Sequence, residues 1–129
     1  KVDLPVYIYG SKEDHIVPIE AAYASTQVLP GKKRFVMGAS GHIAGVINPP
    51  SSKKRSHWLP ADAQLPSEFQ QWHGKAKEVP GSWWDDWSKW LRPQAGALVN
   101  APKIPGRGAY KAIEPAPGRY VKAKATATA

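Results

Sequence analysis

A chain of 129 residues with 42% apolar content and a net charge of +8 carries material for one small domain and is too apolar for a disordered polymer. It has no cysteine, which excludes disulfides, thiolate metal sites and a thiol nucleophile from these residues. No apolar run approaches the ~20 residues of a membrane-spanning helix, and the opening "KVDLPVYIYG" lacks the form of a signal peptide, so the expectation is a soluble, cytoplasmic protein.

"LPVYIYG" (Leu4 to Gly10) is β-branched and aromatic, enters from a proline and stops at glycine, which predicts a buried strand. "SKEDHIVP" follows as a polar loop. "IEAAYASTQVL" (Ile19 to Leu29) predicts a helix, with Pro18 at its start and Ile19, Ala22, Tyr23, Thr26 and Leu29 on one face. Pro30-Gly31 ends it, and "KRFVMG" (Lys33 to Gly38) predicts a second strand. Strand, helix and strand in succession favour a parallel sheet.

The chain then reads as irregular through Trp58 and Pro60. "PSEFQQWHGKA" (Pro66 to Ala76) predicts a helix with Phe69, Trp72 and His73 on one side. "GSWWDDWSKWLRP" (Gly81 to Pro93) predicts a stronger one: Ser82 and Asp85 have capping-box spacing, Asp85 and Asp86 suit its N-terminus, and Pro93 terminates it. Trp83, Trp84, Trp87 and Trp90 form an apolar stripe, read as core packing in preference to a surface for lipid or hydrophobic polymer. From Gln94 onward Pro, Gly and Ala dominate, which predicts an extended basic arm laid on the surface, with domain limits of 1–93 and 94–129. Two parallel strands and three helices do not complete a doubly wound sheet, so the chain reads as the back end of a larger α/β domain.

The charge is unevenly distributed. Between Glu20 and Asp62 there is no acidic residue, while Lys32, Lys33, Arg34, Lys53, Lys54 and Arg55 fall there; a second basic stretch runs from Lys103 to Lys124. Such patches suit phosphorylated or other anionic partners, or simply solubility. No recognition helix, zinc-finger spacing or aromatic strand motif accompanies them, so no nucleic-acid partner is expected.

Asp14 and His42 each lie four residues past the glycine that closes a predicted strand, Gly10 and Gly38. In open α/β sheets ligands sit beyond the carboxyl ends of the strands, so both side chains reach the same rim. A carboxylate and a histidine so placed are the last two members of a nucleophile, acid and histidine order. Glu13 and His15 flank Asp14 and are alternative active members. The four histidines, His15, His42, His57 and His73, have no metal-ligand spacing, and no metal is expected. Ser40 in "GASG" is not framed as a nucleophile elbow; the small residues let the backbone turn around His42.

Four blocks, "YGSKEDHIVP", "FVMGASGHIAGVINPP", "PGSWWDDWSKWL" and "YKAIEPAPGRYVKAK", are similar to the C-terminal portion of class I polyhydroxyalkanoate synthases, from about Asp3 to Lys124. One departure is Ile19 after "IVP", where such synthases often carry tryptophan. The resemblance implies the C-terminal part of an α/β-hydrolase fold and a Cys–His–Asp triad. Its acid and histidine map onto Asp14 and His42, with the cysteine in an upstream elbow that this chain lacks. It further implies a 3-hydroxyacyl-CoA substrate, no separate cofactor, a growing polyester and its granule surface as partners, and a homodimer. The binding site for the CoA portion is not located by the sequence. The chain alone is expected to be inactive. Two other readings stand beside this one: an esterase or depolymerase of the same fold, and a non-catalytic basic module for granule or nucleic-acid binding.

Overall fold

Two in-register parallel strands organise the fold. In the computed structural model, which describes residues 3–104 and 106–125, β1 (Val6–Ser11) pairs with β2 (Lys33–Gly38) from Val6 opposite Lys33 to Ser11 opposite Gly38. The connection is α1 (Ile19–Val28), close to the predicted span. Pro18 lacks an N–H to waste, and its carbonyl accepts the N–H groups of Ala21 and Ala22.

Alternation along the strands sorts the side chains onto two faces. Ile8, Gly10, Phe35 and Met37 face α1 and α2 (Phe69–Lys75), where Ile19, Tyr23 and Trp72 complete the buried cluster. Phe35 is wholly buried and meets Tyr23 and Trp72 edge-on, with centroids 4.9 and 4.8 Å away. Gly10 permits the close approach of α1, since a Cβ there would lie 2.6 Å from Ile19 Cδ1. Tyr7, Tyr9, Arg34 and Gly38 lie on the opposite face, under α3 (Trp84–Leu91).

The sheet has four strands in the order β1-β2-β3-β4. β3 (Ser56–Leu59) lies in a segment that reads as irregular in the sequence, and β4 (Lys77–Pro80) in the gap between the two predicted helices. Both are antiparallel additions: β3 pairs Met37 with Trp58 and Gly38 with His57, and β4 pairs with β3. Tertiary pairing overrides weak local propensity here. The sequence "KEVP" suits an edge, where Lys, Glu and Pro discourage a further strand.

Local differences from the sequence-based expectation have identifiable causes. α2 begins at Phe69 and not Pro66 because the Pro66 carbonyl is taken by Tyr23 Oη at 2.6 Å and by Gln27 Nε2 at 3.1 Å. The expected Ser82–Asp85 capping box does not form. Ser82 Oγ accepts the N–H of Trp84 at 3.0 Å, while Asp85 is exposed. Nor do the tryptophans of the 83–90 stripe make a closed core: Trp87 is exposed, Trp84 is half-buried, and Trp83 and Trp90 are half-buried over Tyr7 and Tyr9. Asp86 fixes that helix to the sheet. Its carboxylate accepts two bonds from Arg34, at 2.6 and 2.9 Å, and one from Tyr7 Oη at 2.9 Å. Burial, with that carboxylate alongside, pushes the Tyr7 phenol far above its ordinary value.

A second unit begins at Ala97. The stretch that reads as an extended arm contains a short hairpin, β5 (Gly106–Arg107) with β6 (Tyr110–Lys111). Arg119 pairs with Glu114 at 3.2 Å, and Leu98, Tyr110, Ile113 and Tyr120 are exposed.

Two glycines should respond oppositely to alanine. At Gly38 a Cβ would run into the Tyr9 ring, so Gly38→Ala is expected to destabilise by about 1–3 kcal/mol. Gly74 has open space around it in α2, so Gly74→Ala is expected to stabilise by up to about 1 kcal/mol. Urea unfolding midpoints of the two variants check both signs.

Candidate active site

Register brings the two strand-end loops together. Beyond Ser11, the N–H of Lys12 donates to the Gly38 carbonyl at 2.8 Å, and that of Glu13 to the Ser40 carbonyl at 3.0 Å. Ser40 adopts the left-handed backbone region, φ +74°, which turns the chain so that this carbonyl faces the β1 loop.

Asp14 closes its own loop. Oδ1 accepts the N–H groups of Ile16 at 2.8 Å and Val17 at 3.0 Å, and Oδ2 lies 2.8 Å from His42 Nδ1. The Val17 N–H first, then the His42 ring, with a further contribution from the Ile16 N–H, lower the Asp14 carboxyl from 3.8 to about 2 against the opposing effect of desolvation. Asp14 is therefore ionised at neutral pH and can only accept. Nδ1 of His42 must carry the proton of the bond, which leaves the lone pair of the neutral ring on Nε2. The Asp14 side chain is 10% exposed and that of His42 45%, so the pair is sheltered on the acid side and open on the imidazole side.

His42 rides on a tight turn in which Gly45 N–H donates to the Gly41 carbonyl and Ile47 N–H to that of Ile43, each at 2.9 Å. Gly45 is buried beneath it; a Cβ there would meet Ser11 Oγ at 2.5 Å and the Ala39 carbonyl at 2.7 Å. The turn sits this close to β1 because position 45 has no side chain. Beside the pair lies a shallow cavity of about 180 Å³ lined by Tyr9, Ser11, Val17 and Val46 as well as Asp14 and His42. A roomier groove of about 810 Å³ runs past Lys32, Lys33 and Trp90, at the other end of the strands, and holds neither member of the pair.

The alternatives sort themselves by contact. Glu13 and His15 are exposed, and it is Asp14 that pairs with His42. His57 is buried and donates from Nδ1 to the Gly81 carbonyl at 3.0 Å, while His73 stacks on Phe69 at 5.5 Å. Among the described residues no group of three or more His, Asp or Glu side chains is arranged to hold a metal ion. What the sequence reading missed is the outer support of the turn. Trp83 and Trp84 donate their indole N–H groups to carbonyls at Gly45 and Val46. The tryptophan stripe was visible in the sequence; its main-chain partners, some 38 residues away, were not.

An ionised carboxylate that orients a neutral imidazole at the ends of adjacent parallel strands leaves Nε2 free to take up a proton. The sequence relatives are poly(3-hydroxyalkanoate) polymerases. The chain is 64% identical over 124 residues to the poly(3-hydroxyalkanoate) polymerase subunit PhaC of Cupriavidus necator, covering 96% of this chain and 21% of that protein. It is 42% identical over 120 residues to the subunit of the same name from Rhizobium etli, covering 93% of this chain and 18% of the relative. With the poly(3-hydroxyalkanoate) polymerase of Methylorubrum extorquens the figure is 42% over 125 residues, or 97% and 20%. No family model matches the chain. Over nearly its whole length the chain is thus homologous to the C-terminal part of poly(3-hydroxyalkanoate) polymerases, and it spans about a fifth of their length.

The lowered carboxyl gives a pH signature. A group favoured as its anion in the folded protein adds stability above its unfolded value and loses it as pH falls through its folded one. The contribution of Asp14 should be complete above 3.8 and disappear as the pH drops toward about 2. Comparing unfolding midpoints of the native protein and Asp14→Asn through that window checks it: the two curves should converge at the acid end.

Proposed function

We propose that these residues supply the acid and the histidine of a polyhydroxyalkanoate synthase that joins 3-hydroxyacyl units from coenzyme A thioesters into polyester. The observation that carries this reading is the 2.8 Å contact between Asp14 Oδ2 and His42 Nδ1, in a chain homologous to polymerases of that name. The nucleophile is a cysteine from a polypeptide region not among these residues. The fold around it is the α/β-hydrolase type, a reading supported by the parallel β1–β2 pair with an acid after one strand and a histidine after the next. Support comes also from β1, which among the described residues pairs on one side only, leaving an edge where further parallel strands fit.

The chemistry follows from the tautomer. Nε2 takes the proton of the cysteine thiol as sulfur attacks the acyl carbonyl of the thioester. The proton then leaves with the CoA thiol as the C–S bond of the substrate breaks. In the second half, Nε2 takes the proton of a chain-end or incoming hydroxyl while that oxygen attacks the acyl-cysteine, forming the ester and restoring the thiol. General base action of this kind is worth about 10²–10⁴ in rate. Asp14 stays ionised throughout and stabilises the imidazolium. On this reading the whole enzyme is a cytoplasmic homodimer at the granule surface, needs no cofactor beyond the thioester, and uses basic stretches to attract CoA phosphates.

The test exchanges the matching 124 residues of the Cupriavidus necator polymerase for this chain. The chimera should release CoA from 3-hydroxybutyryl-CoA. In it, His42→Ala should lower kcat by at least about 10²-fold, and Asp14→Asn by a similar order. Full activity in the His42→Ala chimera sinks the proposal. The 129-residue chain by itself, lacking any thiol, should release no CoA; release above the buffer rate would remove the need for the cysteine.

A further inference from the structure

The turn bearing His42 is gripped from outside by the first turn of the tryptophan helix. Trp83 Nε1–H is shared between the carbonyls of Gly45 and Val46, 3.2 Å from each, and Trp84 Nε1–H donates to Val46 at 3.0 Å. The Val46 carbonyl also accepts the N–H of Asn48 at 3.2 Å, so the end of the turn is saturated with donors.

The grip is anchored at its other side. Trp83 stacks on Tyr9 with centroids 4.3 Å apart, and Tyr9 Oη shares a hydrogen bond of 3.1 Å with the buried Ser11 Oγ, against which Gly45 packs. One step along α3, Asp86 holds Arg34 and Tyr7 and so prevents the helix from sliding on the sheet. Covering Tyr7 and Tyr9 requires only aromatic area, which phenylalanine would provide. Two indole N–H groups aimed at one turn do something that packing alone does not demand. A hydrogen bond fixes direction where a stacked ring leaves sliding freedom.

We infer that Trp83 and Trp84 are positioning residues, whose indole N–H groups hold the 41–47 turn so that His42 stays in register with Asp14 and presents Nε2 outward. The inference rests on the reading of His42 as the proton acceptor, and deepens it. It also gives Trp83 and Trp84 a role within the protein beyond packing.

The test removes the N–H and leaves the shape. In the chimeric polymerase described above, both tryptophans are replaced by β-(3-benzothienyl)alanine, in which sulfur stands where the indole nitrogen was. The kcat for CoA release should fall about tenfold with KM changed less than about twofold, as expected when a reacting group is displaced and substrate binding is not. The same replacement at Trp87 should leave both constants unchanged. In the ¹⁵N-histidine-labelled chimera the Nδ1–H signal of His42 should shift and exchange faster once both tryptophans are replaced. Trp83→Phe with Trp84→Phe should reproduce the loss. Unchanged kcat together with an unchanged His42 signal overturns the inference. Should His42→Ala leave the chimera active, the catalytic reading fails, and the His42 signal still decides whether the indoles hold the ring.

Discussion

The parallel register of β1 and β2 is the constraint on which everything else hangs. Six residue pairs, from Val6–Lys33 to Ser11–Gly38, put the carboxyl ends of both strands at the same height. Asp14, three residues past Ser11, and His42, four past Gly38, therefore arrive together. A slip of one residue would send Phe35 and Met37 to the wrong face and part the loops at the same time. Core packing and site geometry are therefore secured by one set of main-chain hydrogen bonds.

The two faces of the sheet then divide the work. On one, Phe35 and Met37 close against Tyr23 and Trp72, giving the strands a rigid backing. On the other, the cover is half-open and polar at its hinge. Arg34 and Tyr7 converge on Asp86, and the aromatic rings of α3 lie across Tyr7 and Tyr9 without being sealed off. Such a face buries less apolar area per residue, but it tolerates directional contacts, and it is from this face that main-chain carbonyls of the His42 turn receive their donors. Three glycines make the arrangement possible: Gly10 under α1, Gly38 beside Tyr9 and Gly45 over Ser11.

What could be read in the sequence follows from how local each feature is. β1, α1 and β2 announce themselves through apolar runs bounded by Pro and Gly, and the placing of Asp14 and His42 a few residues past two such runs points to one rim once the pairing is parallel, although β1 runs one residue further, to Ser11. β3 and β4 do not, because "SHWL" and "KEVP" are four residues each and become strands only by lying beside Met37 and Gly38. The capping spacing of Ser82 and Asp85 is present without the box: Ser82 Oγ takes the N–H of Trp84, and it is Asp86, one residue on, that is held by Arg34. The indole contacts were invisible for a related reason: their acceptors are backbone atoms, which leave no trace in residue identity.

The sheet also has unequal borders. At β4, Lys77, Glu78 and Pro80 place charge and a missing donor where a neighbouring chain would attach. At β1 the run "VYIYG" offers unblocked amides and apolar side chains along its outer margin. A sheet blunted on one margin and receptive on the other has a direction of growth: it can be extended past β1 and resists extension past β4. Any solution of these residues with β1 uncovered is thus at risk of strands from separate molecules joining there, and not at β4.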